Sequence, residues 1–170
     1  QAECVGAAVS KDPGNVLPLF AHPSGFGRIA LAYGKDKIYS IPCDMDTDME
    51  FLFGKLSALA GSAKRFAMCG LKEYLGYLPE AGQENSFDVI VAAYLLNPLK
   101  NDYSYEDVAR EQLNLLIDEK TDEAAKACYE AYTAYAAAPV LEAKLKEQGM
   151  ESLFFDVEMP LVFTLFDMEQ

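Results

Sequence analysis

Residues 47–69, TDMEFLFGKLSALAGSAKRFAMC, decide the fold. Met49, Leu52, Phe53, Leu56, Leu59 and Ala60 recur at helical spacing, Thr47-Asp48-Met49-Glu50 has the form of a capping box, and Gly61 stands where the helix is expected to stop. The apolar stripe of such a helix needs a sheet to cover it. Residues 64–69 then read as a strand reached by a crossover, parallel to the first strand of whatever precedes the helix.

Upstream the chain is strand-rich. After a polar lead-in over residues 1–14, three β-like runs follow at 16–21, 28–33 and 37–43. Turn formers at 22–27 (HPSGFG) and 34–36 (GKD) join them, which predicts antiparallel hairpins. The result is an antiparallel three-stranded meander plus a parallel strand, flanked by helices. This is an α/β mixed sheet in the ribonuclease H-like order.

Downstream the chain is helical, with short helices at 71–78 and 87–96 and a third at 105–116 introduced by Ser104 as N-cap. Residues 122–138 are alanine-rich and helix-prone, and Pro139 is expected to kink or end that helix before 140–148 resumes. Gly149 closes the element. A last amphipathic stretch, 151–169, contains Pro160 and ends without a cap or stop signal.

Composition limits the function. At 170 residues and 51% hydrophobic content the chain suits one domain with a full core. It has neither a run of about 20 apolar residues nor a signal-peptide pattern, so a cytoplasmic location without membrane contact is expected. Cys4, Cys43, Cys69 and Cys128 are scattered, and His22 is the single histidine, so separate reduced thiols are expected rather than a zinc site. Fourteen basic residues against 27 acidic ones give a net charge of −13, which repels a polyanion. The basic stretches, 35–37, 64–65 and 144–146, are short. A monomer that binds DNA weakly or not at all by itself is expected.

Residues 86–98, SFDVIVAAYLLNP, resemble the helix after the second exonuclease motif in the 3′-5′ proofreading domain of bacterial family A DNA polymerases, the DNA polymerase I type. Residues 157–162, VEMPLV, resemble the segment by which that domain passes into the polymerase thumb. The similarity is strongest over 71–97 and 132–169, and rests on strand order alone over the first 60 residues. It implies an exonuclease-like domain over 1–150. Residues 151–170 would then start the helix into a thumb that is absent from this chain.

In active members of that family, two divalent ions held by about four carboxylates drive the hydrolysis. The first motif, Asp-x-Glu on the first strand, falls on Phe20-Ala21-His22-Pro23, which puts Ala21 and Pro23 at the two acid positions. In the second, Gly70-Leu71-Lys72-Glu73-Tyr74, Tyr74 replaces the aspartate. In the third, Tyr132 fits the tyrosine and Ala136 stands at the aspartate. The resemblance therefore implies a domain that is no enzyme, with no metal or cofactor of its own. Mg²⁺ would be confined to the polymerase part, which alone would bring DNA to it. The domain would serve as a structural scaffold for a DNA-directed DNA polymerase of replication and repair. Two alternatives stay open: a metal-dependent 3′-5′ exonuclease with relocated carboxylates, and an acidic protein-interaction module.

Other residues have plainer explanations than the chemistry they suggest. Glu73 adjoins the vacant second-motif position, but one acid cannot hold two metals. Asp44, Asp46, Asp48 and Glu50 alternate like the start of an EF-hand loop, yet Met49 and Lys55 occupy the positions of its glycine and its bidentate glutamate, so a helix N-terminus explains them better. His22 reads as a turn residue. Tyr129, Tyr132 and Tyr135 read as a packed helix face in preference to a base-stacking platform.

Overall fold

A computed structural model describes residues 3–11, 25–100 and 102–170. Five strands, β1 (Val5–Lys11), β2 (Phe26–Ala32), β3 (Ile38–Pro42), β4 (Phe66–Met68) and β5 (Ser86–Asp88), form one mixed sheet in the order β3-β2-β1-β4-β5. β1 to β3 pair antiparallel, while β4 lies parallel to β1 and β5 parallel to β4. The α/β class and the meander followed by a parallel strand are thus as expected. The position of the first strand is not. β1 lies inside the segment read as a polar lead-in, and the strand expected at 16–21 falls outside the described residues. The reason is composition: Gly6, Ala7 and Ala8 have little strand propensity and are there for what packs on them.

Helix α1 (Met49–Ser62) connects β3 to β4. Its N-cap is Asp48, whose carboxylate accepts the Phe51 N–H at 2.9 Å, while the Thr47 hydroxyl turns back to the Asp44 carboxylate. The acids at 44–50 therefore cap and order the helix start. α1 continues past Gly61, contrary to expectation. That glycine serves close approach instead, since a Cβ there would lie 2.8 Å from the Glu80 carbonyl oxygen. Residues Leu71–Tyr77 wind as a 3₁₀ helix, and β5 precedes α2 (Val89–Leu96), so part of the expected 87–96 helix is strand. α3 (Tyr105–Leu113) opens on a capping box between Ser104 and Asp107.

The longest helix, α4 (Glu123–Glu147), runs unbroken through Pro139. Proline removes the donor that the Tyr135 carbonyl would have received. The Cys4 thiol, 3.8 Å away, donates to that oxygen instead. Gly149, at φ +71°, then turns the chain out of the helix. A final helical segment follows: α5 (Glu151–Leu153), a π turn over Phe154–Glu158, and α6 (Met159–Met168). Phe154, Met159 and Val162 from this segment are buried in the main core. No helix among the described residues is long and apolar enough to cross a membrane.

Alternation along β1 divides the core into two layers. Gly6 and Ala8 face α4, where Ala8, Ala30, Ala32, Ala127 and Ala131 form a cluster of small residues. Val5, Ala7 and Val9 point the other way, into a larger core with Phe53, Leu56 and Ala60 of α1. A methyl group on Gly6 would collide with the backbone of Ala131 and Tyr135. Gly6→Ala is therefore expected to destabilise the fold by about 1–3 kcal/mol, a fall of roughly 2–4 °C in melting temperature for each kcal/mol. A thermal melt of the variant matching the parent would show that α4 does not need this contact.

Candidate functional site

The carboxyl end of β1, the 3₁₀ helix, α3 and α4 meet at one end of the sheet. Gly70, at φ +80°, opens the turn into the 3₁₀ helix. The buried Asp88 carboxylate fixes that turn by accepting the N–H groups of Gly70 at 3.3 Å and Leu71 at 2.7 Å. The same carboxylate caps α2 by accepting from Ile90 at 3.0 Å and Val91 at 3.3 Å. Burial pushes the Asp88 carboxyl up, against the pull of these four donors. The 3₁₀ helix then projects Tyr74 back onto the sheet, where its hydroxyl donates to the Val9 carbonyl of β1 at 2.8 Å.

Three glutamates act on this end. Burial first, and then the Glu106 and Glu73 charges, push the Glu130 carboxyl up from 4.5 to about 7. Burial, Glu130 and Glu73 raise the Tyr74 phenol to about 12. The Cys69 thiol is also raised, by burial and by Glu130, Asp88 and Glu106. Among the described residues, the Lys11 ammonium pairs with Glu73 at 3.7 Å. Both side chains of that pair are largely in water, so it contributes little.

The positions expected to be functional are only partly brought together here. Tyr74 lies at the site. Ala21, Pro23 and His22 fall outside the described residues. Since β1 is Val5–Lys11, first-strand acids would have to come from it, and it carries none. Tyr132 is not at the site: it packs, half-buried, beside Tyr135 against the alanine cluster under α4, which confirms the packed-face reading for those two tyrosines. Ala136 brings no carboxylate. The acid that α4 does present is Glu130, which the third-motif alignment passed over, with Glu106 of α3 beside it. One signal could have found Glu130, because it is the only acid between Glu123 and Glu142 in an otherwise alanine-rich helix.

Among the described residues, the acids do not assemble the two-metal site that the family resemblance implies for active members. Among the described residues no group of three or more His, Cys, Asp or Glu side chains is disposed to hold a metal ion. The four cysteines are free thiols. The basic pair at 64–65 is already engaged: Lys64 with Glu3 at 3.0 Å, and Arg65 with Glu142 at 2.8 Å.

No family model and no curated protein matches the chain. Solved structures do. Brucella melitensis NrnC bound to pGG is similar over 99% of this chain and 85% of its own, with a TM-score of 0.69 and 12% identity. A nuclease in its apo form is similar over 98% of this chain and 84% of its own, with a TM-score of 0.66 and 14% identity. The POL domain of Pol1 from M. smegmatis, in complex with DNA primer-template and dNTP, gives a TM-score of 0.72 at 18% identity; the match takes in 99% of this chain but 29% of that one. The fold is therefore the ribonuclease H-like, 3′-5′ exonuclease-like one. These matches also correct the expectation of a domain that is no enzyme, because the chain shares its fold from end to end with a nuclease.

Two outcomes follow from this geometry. Asp88→Asn keeps the size but loses acceptor capacity for four backbone donors, and is expected to cost about 1–3 kcal/mol in a denaturant titration. Glu130 sets a pH dependence. Its folded pKa lies above the ordinary value, so its contribution is fully present below about 4.5 and is lost as the pH rises to about 7. Melting temperatures at pH 5 and pH 8 should differ by the equivalent of on the order of 2 kcal/mol, after allowance for partial exposure. Glu130→Gln should remove most of that difference by stabilising the protein at pH 8. Asp107, held down to about 2 chiefly by Lys100, acts only in more acidic solution and does not mask the effect.

Proposed function

We propose that the chain is the 3′-5′ exonuclease-like domain of a family A DNA polymerase, a DNA polymerase I of replication and repair, and that it serves as a scaffold for the polymerase part. The single observation that carries this reading is the end of the fold. The 157–162 segment, which resembles the passage into a polymerase thumb, lies on a helix anchored in the domain core by Phe154, Met159 and Val162. The Pol1 match supports it, since the chain spans under a third of that structure. On this reading residues 1–150 form the exonuclease-like domain and 151–170 begin the helix into the thumb. The protein is a cytoplasmic monomer, and DNA and Mg²⁺ are engaged through the polymerase part.

The fold that the chain shares with a nuclease favours a second reading, a 3′-5′ exonuclease with relocated carboxylates, among which Glu130 is the acid that the sequence motifs do not account for. The two are tested separately. For the first, the reading frame beyond codon 170 is expected to encode thumb and palm sequences, and a stop codon there would overturn it. For the second, a 5′-labelled single strand is incubated with the protein in Mg²⁺ or Mn²⁺. Shortening from the 3′ end that falls by about tenfold or more in Glu130→Gln would support it; digestion indifferent to that substitution, or none, would sink it.

A further inference from the structure

The C-terminal helical segment carries a stripe of large apolar side chains that nothing among the described residues covers. Leu153, Val157, Leu161, Leu165 and Met168 are each 39–77% exposed. Four residues of α-helix overshoot a full turn by about 40°, so a strict four-residue spacing would normally spiral around the helix. The π turn over Phe154–Glu158 corrects this. Its hydrogen bond from Met159 N–H to the Phe154 carbonyl takes in an extra residue, so the winding lags there and brings Val157, Leu161 and Leu165 back under Leu153. The opposite side of the same segment buries Phe154, Met159 and Val162. The segment is thus apolar on two sides, and only one of them is covered.

Charge identifies what fits the other. Between Met150 and Gln170 there are five acids, Glu151, Asp156, Glu158, Asp167 and Glu169, and no lysine, arginine or histidine. Only Glu169 has an ion-pair partner among the described residues, Lys72 at 2.7 Å. A second copy of this face would set five acids against five, and an anionic membrane surface would be repelled in the same way.

We propose that this stripe is the docking face for an amphipathic helix with an apolar seam and lysine- or arginine-rich flanks. Recognition follows the helix-in-groove mode, with anchors at i, i+4 and i+8 and complementary charge along both edges. The chemistry of the partner stands on the stripe itself; its source, the polymerase part of the same polypeptide, rests on the reading proposed above.

The probe is a synthetic 18-residue helical peptide with leucine along one face and lysine on its flanks, titrated into the protein by fluorescence anisotropy. A second peptide with glutamate in place of lysine serves as the control. Saturable 1:1 binding of the lysine peptide is expected, weakened roughly tenfold by Leu161→Ser with Leu165→Ser. Asp156→Lys with Asp167→Lys should reverse the preference toward the glutamate peptide. Binding that the serine substitutions leave unchanged would show non-specific attraction to an acidic protein and overturn the proposal. So would concentration-dependent dimerisation, measured by sedimentation, that the same serines abolish, because the occupant would then be a second copy. A stop codon after residue 170 would remove the polymerase as the source and leave the peptide result standing.

Discussion

The spacing between β1 and α4 is the constraint on which the rest of the molecule depends. It is set by backbone against backbone at Gly6, with an alanine layer spreading the contact across β2. Because α4 lies so close, the Tyr135 carbonyl freed by Pro139 comes within reach of the Cys4 thiol, and a proline inside a long helix is accommodated without a break. That closeness also fixes where the first turns of α4 sit relative to the end of β1, which brings the Glu130 charge to act on Tyr74 and Cys69. A larger side chain on β1 would lift the whole helix, since α4 is too long and too regular to deform at one point.

The candidate site is built by two side chains that tie elements together, Asp88 and Tyr74. Asp88 satisfies donors at the start of both the 3₁₀ helix and α2, so each of those starts depends on the other. Tyr74 carries the 3₁₀ helix back to β1. Around them the protein keeps carboxylates close together with little counter-charge. That arrangement costs stability at neutral pH, and burial is what makes the cost appreciable.

Much of the fold could be read from the chain, because periodicity reports burial directly. The α1 stripe, the Ser104 cap and the parallel fourth strand all followed from residue spacing. β1 could not be read in the same way. Gly6, Ala7 and Ala8 carry no strand signature, and Gly6 and Ala8 are small because they admit a helix that lies about 120 residues away in sequence. The continuity of α4 was hidden for a related reason: the donor that rescues it comes from Cys4 and not from the local sequence. At the site, Tyr74 was legible from its motif neighbours, but Glu130 was not. Its importance depends on burial and on Glu106 and Glu73, which only the tertiary fold brings near it.

Arg65 shows how a chain of net charge −13 holds its last helical segment. Its guanidinium lies 4.8 Å from the centre of the Phe155 ring and 5.7 Å from that of Phe87, and it is paired with Glu142 at 2.8 Å. Only 22% of its side chain is exposed, so mobile ions have little access to the contact. Acid-acid repulsion across the surface has no such protection and is screened over about a Debye length, roughly 8 Å at physiological ionic strength. Raising the ionic strength therefore relieves the repulsion while leaving this clasp in place. The protein should become more cohesive in concentrated electrolyte, the behaviour of a polyanion whose clasp on its last helical segment is kept away from the solvent.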